Sequence, residues 1–396
     1  MSSTVLVIEP RLTGHFIAYS KMYCDALSGR FNVVMANTTR AKENSNWQNY
    51  LGSSDSTINM EFNLQPFDWS RPRRAWAKAI QASSNLIDKY DPDVVLVHSS
   101  EGLEYTLSNP LSNLAFKRKT KNKVFMLGLP LTTDVKPFKK WLADQQRSKL
   151  NNANFITNHP PFYFRHKERL ENWHLVPEPV LDEFQRTSKT EARSRLQLSP
   201  NGPLCLIAGM LENRTKGTRK FIEEFSKVDV RDQTELLIAG TIKETTRDWI
   251  RHTLRHCLDR VHFFSYKNEK QLADCISAAD LVVLPYPNHK MTSAIGARAI
   301  AMCRPIFAPR IEWFEETIEK TGCGFFFSDS KTLACAPELA EVAALACDYS
   351  PNKSNLLFNE YASLNNFSRT ITKIIFNTLK PSSNVDVNPI TWHDLD

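Results

Sequence analysis

Two short segments in the second half of the chain hold residue types that bind phosphate. The first is Lys216-Gly217. It follows the apolar run Leu204–Ala208 and a polar loop, and it opens the amphipathic stretch Thr218–Val228. An apolar run of that length predicts a buried strand. A parallel strand delivers its following loop to the carboxyl edge of the sheet, where ligands of open α/β sheets bind. A helix starting there turns free N–H groups and positive potential toward an anion, and a lysine adds a point charge. The second segment follows the run Leu281–Leu284. Its loop carries His289, Lys290, Thr292 and Ser293, and a small-residue helix is expected from Ala294. Thr292 or Ser293 either caps that helix or leaves its N–H groups facing an anion. Each junction by itself also reads as a plain capped strand–loop–helix unit. Two basic junctions in one domain point to a diphosphate, with Arg214, Lys216, Lys290, Thr292, Ser293 and Ala294 around it.

The elements that must position these residues are legible from apolar patterning. Strand-length apolar runs alternate with helix-length amphipathic stretches along both halves. The first half has runs at Val5–Ile8, Asn32–Met35, Val94–Val97, Val124–Leu127 and Phe155–Thr157. The second has Leu204–Ala208, Glu235–Ala239, Val261–Phe264, Leu281–Leu284 and Pro305–Ala308. Near-continuous apolar strands with intervening helices mean parallel sheets covered on both faces. At 396 residues the chain exceeds one ordinary core. The fold class expected is therefore α/β, with two doubly wound Rossmann-like domains. The expected boundaries are 1–180 for the first domain, 181–202 for a Pro-rich linker and 203–350 for the second domain. Residues 351–380 are expected to be closing helices, and the polar stretch 381–396 a disordered tail.

The second half resembles the donor-binding domain of GT-B glycosyltransferases, and within them the family 4 group. The resemblance rests on Lys216-Gly217, Ala239-Gly240, Val261-His262-Phe263-Phe264-Ser265, Glu269-Lys270-Gln271-Leu272, Ala278-Ala279-Asp280-Leu281-Val282-Val283-Leu284-Pro285 and Ala301-Met302-Cys303-Arg304-Pro305-Ile306. It covers roughly residues 203–310. It implies two domains facing a cleft, a nucleotide sugar (UDP- or GDP-linked) as co-substrate, and no bound cofactor or metal. It also implies that the helix after Leu356 crosses back onto the first domain. Two departures stand out. The family's Arg after the first strand is Met210 here, with Arg214 as a substitute. The family's two Glu fall at Lys290 and Arg298. A ribose diol wants acceptors, and Arg298 offers only donors. The resemblance therefore leaves retention or inversion of the sugar's configuration undecided.

The acceptor side is expected in the first half. Gly14 allows a tight turn after the first strand, and His15 stands at the following helix start, where it either contacts substrate or caps the helix. His98 and Glu101 follow the run Val94–Val97. With Asp134 and His15 they are the candidates for a general base near the acceptor hydroxyl. Asp91-Pro92-Asp93 precedes its strand, on the edge away from ligands, and reads as a turn and not as a metal clamp.

Charge is uneven. Residues 1–180 hold 23 Lys and Arg against 16 Asp and Glu, so the whole net charge of +7 lies there. Basic and aromatic residues interleave at Phe67–Lys78 and Lys136–Trp141, and Lys117–Lys123 adds a basic run. The pattern fits either a solvated face or docking on an anionic membrane surface or lipid-linked acceptor. No nucleic-acid recognition motif accompanies it. The eight cysteines form no Cys-x-x-Cys pair, as expected for buried thiols in a reducing cytoplasm. The first residues read as a buried strand and not as a leader. The location expected is cytoplasmic, with the inner face of a membrane as the peripheral alternative.

The function expected is transfer of a hexosyl group from the nucleotide sugar to a glycan or lipid-linked acceptor, in polysaccharide or glycolipid assembly. Two alternatives stay open. One is a degenerate GT-B protein acting as a binding module, and the other is a nucleotide-sugar epimerase.

Overall fold

The computed structural model describes residues 3–12, 15–44, 47–48, 58–68, 70–97, 114–120, 123–128, 153–167, 172–211, 216–229, 233–287, 289, 291–330, 333–380 and 388–395. The chain divides into two compact units, Met1–Pro177 with Leu364–Pro389, and Glu178–Ser363 with Ile390–Asp396.

The first unit is built on a seven-stranded sheet. Its strands are β1 (Thr4–Ile8), β2 (Asn32–Thr38), β3 (Asn59–Leu64), β4 (Val94–Val97), β5 (Val124–Gly128), β6 (Ala153–Thr157) and β7 (Trp173–Leu175), in the order β3-β2-β1-β4-β5-β6-β7. Pairing is parallel throughout. The order reverses between β1 and β4, which makes the sheet doubly wound. The Val and Leu of β1 and β4 are buried because helices cover both faces of a parallel sheet. The helix Leu364–Leu379 belongs to this unit. It packs on the helix His15–Ser28 through Tyr23 against Phe367, with ring centroids 5.1 Å apart, and Ser368 Oγ donates to the Ala26 carbonyl at 2.8 Å.

At the carboxyl end of β1, Arg11 and Glu9 form a wholly buried pair, with Nε to Oε1 at 2.6 Å and a second bond from Nη2 to Oε2 at 2.7 Å. The guanidinium lies 3.7 Å from the Phe16 ring centroid, 5.1 Å from Trp76 and 5.8 Å from Phe67. This corrects one expectation. Trp76 is 0% exposed, so its ring encloses Arg11 and is not free to enter a membrane interface. The basic run is also partly neutralised, since Lys119 pairs with Asp88, and Lys123 with Asp91 at 2.6 Å. Arg71, Arg74, Lys78 and Arg118 remain exposed. Asp91 ends its helix in the left-handed region (φ 43°), and the Asp93 carboxylate accepts the Thr4 N–H at 2.8 Å, so both aspartates serve the turn.

The second unit has six strands, β8 (Leu204–Ala208), β9 (Glu235–Ala239), β10 (Val261–Phe264), β11 (Leu281–Val283), β12 (Ile306–Ala308) and β13 (Gly324–Phe326). Their order is β10-β9-β8-β11-β12-β13, parallel throughout, and it reverses between β8 and β11.

Three expected boundaries change. The linker 181–202 is part of the second unit. Its helix Lys189–Arg195 is anchored on the buried Asp280, which pairs with Lys189, binds Arg193 Nη2 at 2.6 Å and accepts the Leu204 N–H at 2.8 Å. Arg193 also donates to the carbonyls of Ala278, Pro200 and Gly202, so a guanidinium fork closes the Pro-rich turn onto the sheet. Of the closing helices, Lys353–Tyr361 stays in the second unit, where Asn355 Nδ2 donates to the Ile300 carbonyl at 2.8 Å. The expected disordered tail contains a packed segment. Trp392 and Leu395 are buried, and Trp392 stacks edge-on against Tyr361 at 5.5 Å and donates from Nε1 to Glu316 at 2.6 Å. Among the described residues no helix is long and apolar enough to cross a membrane.

Candidate functional site

The two basic junctions lie side by side at the carboxyl ends of β8 and β11, where the strand order reverses. A doubly wound sheet opens a crevice there, because neighbouring strands send their connections to opposite faces. Close backbone contacts hold the two loops together. Gly217 has φ 60°, and a Cβ on it would lie 1.8 Å from the Pro285 carbonyl oxygen. Only a glycine lets the start of the helix Thr218–Phe225 touch the strand-end loop in this way. Gly209 ends β8 beneath the other helix start, where a Cβ would lie 3.9 Å from the Ile295 side chain.

Lys216 is carried into this contact by Gly217. Its Nζ sits 3.8 Å from the centroid of Tyr286, the second residue after Leu284 of the β11 end. A desolvated ammonium on an aromatic face gains about 2 kcal/mol, which offsets part of the lost hydration. Burial still wins, and the lysine pKa falls to about 8. His289 packs on the same ring at 5.1 Å and on Phe314 at 5.6 Å. Burial first, and then the Lys216 charge, lower its pKa to about 4, so the imidazole is neutral at ordinary pH. Burial likewise pushes the Tyr286 phenol above its usual range.

The second helix start is built by Ser293, whose Oγ accepts the Gly296 N–H at 3.1 Å and caps the helix Ala294–Ala301. Gly296 lets that helix approach Trp313, where a Cβ would meet the indole at 2.9 Å. The floor of the site is thus the helix Glu312–Thr321, which supplies both Trp313 and Phe314.

The arrangement offers a cation, a neutral imidazole and the N–H groups of two helix starts around one crevice. Such a set fits an anionic ligand. Residues 202–342 match the family model described as Glycosyl transferases group 1. The fold as a whole is also that of solved GT-B enzymes. Sucrose-phosphate synthase (tll1590) from Thermosynechococcus elongatus superposes with a TM-score of 0.71 at 14% identity, covering 96% of this chain and 100% of that one. The chain has the GT-B fold, and within its second unit it matches the glycosyltransferase group 1 model. A glycosyltransferase from Rickettsia africae ESF-5 gives a TM-score of 0.68 at 15% identity over 96% of this chain and 100% of that one. Anabaena Alr3699/HepE, solved in complex with UDP and glucose, gives 0.66 at 13% identity over 94% and 99%. No curated protein matches the sequence.

In this fold, the structure brings together Lys216, Thr292, Ser293 and Ala294 of the residues expected at the donor site. Arg298 lies further along the same helix and is already engaged. Its Nη1 is 3.4 Å from Glu269, and its guanidinium stacks on the Phe184 ring at 4.5 Å. Met210, where the resemblance expects an Arg, is 75% exposed. Arg214, Lys290, Gly14, His98, Glu101 and Asp134 lie outside the described residues, as does the side chain of His15. Tyr286 and His289 were not among the expected site residues. His289 had a visible signal in its polar loop. Tyr286 had none, because a tyrosine between two prolines reads as loop packing.

Proposed function

We propose that this protein is a glycosyltransferase that moves a hexosyl group from a UDP- or GDP-linked sugar to a hydroxyl of a glycan or lipid-linked acceptor, in polysaccharide or glycolipid assembly on the cytoplasmic side of a membrane. The observation that carries this is the half-buried Lys216 ammonium at the strand-order reversal, beside the start of the helix Thr218–Phe225 and on the Tyr286 ring. Glycosyl transfer breaks the bond between the sugar's anomeric carbon and the diphosphate. Negative charge then grows on the departing phosphate oxygen, and a preorganised cation with aimed N–H groups stabilises it most where water is excluded. Lys216 and the starts at Thr218 and Ala294 take that charge, so the reading calls for no metal or other cofactor. The UDP held by the Anabaena neighbour supports a uridine donor, with guanosine as the other choice.

The acceptor belongs to the first unit in this reading. His98, Glu101, Asp134 and His15 are the residues from which its hydroxyl-activating base comes. Exposed Arg71, Arg74, Lys78 and Arg118 support docking on an anionic surface, a contact that salt would screen.

The test is a thermal-shift screen against UDP, GDP, ADP and CMP. A ligand at a hundred times its Kd adds about 2.7 kcal/mol to the folded state, which is easily seen as a raised midpoint. The expected result is a shift with UDP or GDP that Lys216→Ala abolishes. No shift with any nucleotide would favour the degenerate binding-module reading over the enzyme.

A further inference from the structure

His289 presents a chemical group that diphosphate binding does not use. One ring nitrogen is held by a hydrogen bond to the Thr292 backbone. The other, Nε2, is buried and has no hydrogen-bond partner. The Thr292 bond favours the ring proton on the nitrogen facing it, so Nε2 carries the lone pair and can only accept. The rings of Tyr286 and Phe314 fix the plane of the imidazole. A neighbouring ammonium, that of Lys216, works against protonation of the ring. A buried acceptor left unmet is costly, and native structures rarely keep one without a reason.

The surrounding groups are mostly donors. Lys216 and the N–H groups of two helix starts are donors, and a diphosphate supplies acceptors. A nucleotide sugar also carries hydroxyls, and these need somewhere to donate. Neither residue standing where the family has its Glu pair can accept, since Lys290 and Arg298 bear only donors, and Arg298 is already held by Glu269.

We propose that His289 Nε2 accepts a hydrogen bond from a hydroxyl of the bound nucleotide sugar, in the place where the family pattern would use a carboxylate. The inference rests on the donor-site reading of Lys216. Lys216 rests on the Tyr286 ring that His289 packs against, and Nε2 is buried. A neutral acceptor suits this spot better than a carboxylate, which would pair with Lys216 and compete with the phosphate.

The experiment measures binding of UDP, UDP-glucose, GDP and GDP-mannose by calorimetry to the wild type, His289→Ala and His289→Gln. Alanine removes the acceptor, whereas glutamine keeps a neutral one of similar reach. The expected result is an affinity for the best nucleotide sugar about tenfold weaker in His289→Ala, the worth of one hydrogen bond, and largely restored in His289→Gln. Loss for the nucleotide sugar alone assigns the hydroxyl to the transferred sugar, and equal loss for the bare nucleotide assigns it to ribose. Unchanged affinities in His289→Ala, with Lys216→Ala still abolishing binding, would overturn the inference and leave the donor site standing. A glutamine variant as weak as alanine, with an unchanged melting temperature, would also overturn it. No binding of any nucleotide to the wild type would instead remove the donor-site reading itself.

Discussion

Lys216 is the residue whose environment has the clearest consequence for function. Gly217 pulls it against the Pro285 loop, where burial lowers its pKa to about 8 and it rests on the Tyr286 ring. A bound diphosphate favours the charged form and raises that pKa again. Below pH 8 the empty site already holds the proton, and affinity is flat. Above it, binding must take up a proton, so the Kd for a nucleotide sugar should rise about tenfold per pH unit until the pKa of the complex is reached. Calorimetry between pH 7 and 9.5 checks this, and Lys216→Met should give weak binding with no such slope. The unliganded protein should gain stability from this residue over the same window. The unfolded chain, with its ordinary lysine pKa near 10.5, there binds more protons than the folded one. His289, at about 4, sets no limit in this range.

At the scale of elements, the strand-end loops are held from below by a buried ion cluster. Asp280 opens β11, ties down the helix Lys189–Arg195 through Lys189 and Arg193, and accepts the first N–H of β8. It thereby sets the relative height of β8 and β11, the two strands whose ends make the site. Asp280→Asn keeps the shape but leaves Arg193 buried without its counter-charge. Removing one partner of such a pair costs about 3–5 kcal/mol. Urea unfolding should show a loss of this size, and a loss below 1 kcal/mol would mean that the cluster is not what anchors the helix. The match to the Ala-Asp-Leu segment of the family therefore has a structural cause, which holds whatever the donor sugar.

Across the whole molecule, the chain leaves the first unit at Pro177, returns to it at Leu364 and re-enters the second at Ile390. The last segment is secured by Trp392 on Phe358 and Tyr361, and by its bond to Glu316 on the helix that carries Phe314. Trp392→Ala should cost about 3–5 kcal/mol, as other buried aromatic truncations do. Hydrogen exchange should locate that loss in Glu312–Thr321 and Lys353–Tyr361, and leave the helix His15–Ser28 protected. An equal loss of protection in both units would contradict the assignment of this segment to the second.

The sequence by itself determined the two parallel sheets, because helices on both faces force their central strands to be continuously apolar, as β1, β4, β8 and β11 are. It missed β3, β7 and β13, which are half-exposed edge strands without such a run. Lys216-Gly217 and Ser293 were legible as helix starts, since a positive-φ glycine and a serine cap are local features. Tertiary structure alone decided three things. It placed Lys216 on Tyr286, it buried Nε2 of His289, and it turned Arg298 toward Glu269 and Phe184. Those contacts join residues from separate loops and helices, and no spacing along one segment encodes them. Trp76 and Trp392 make the same point in the opposite sense. A tryptophan among charged or polar neighbours looks like surface until a distant element covers it, and here Arg11 in one case and Tyr361 in the other were those elements.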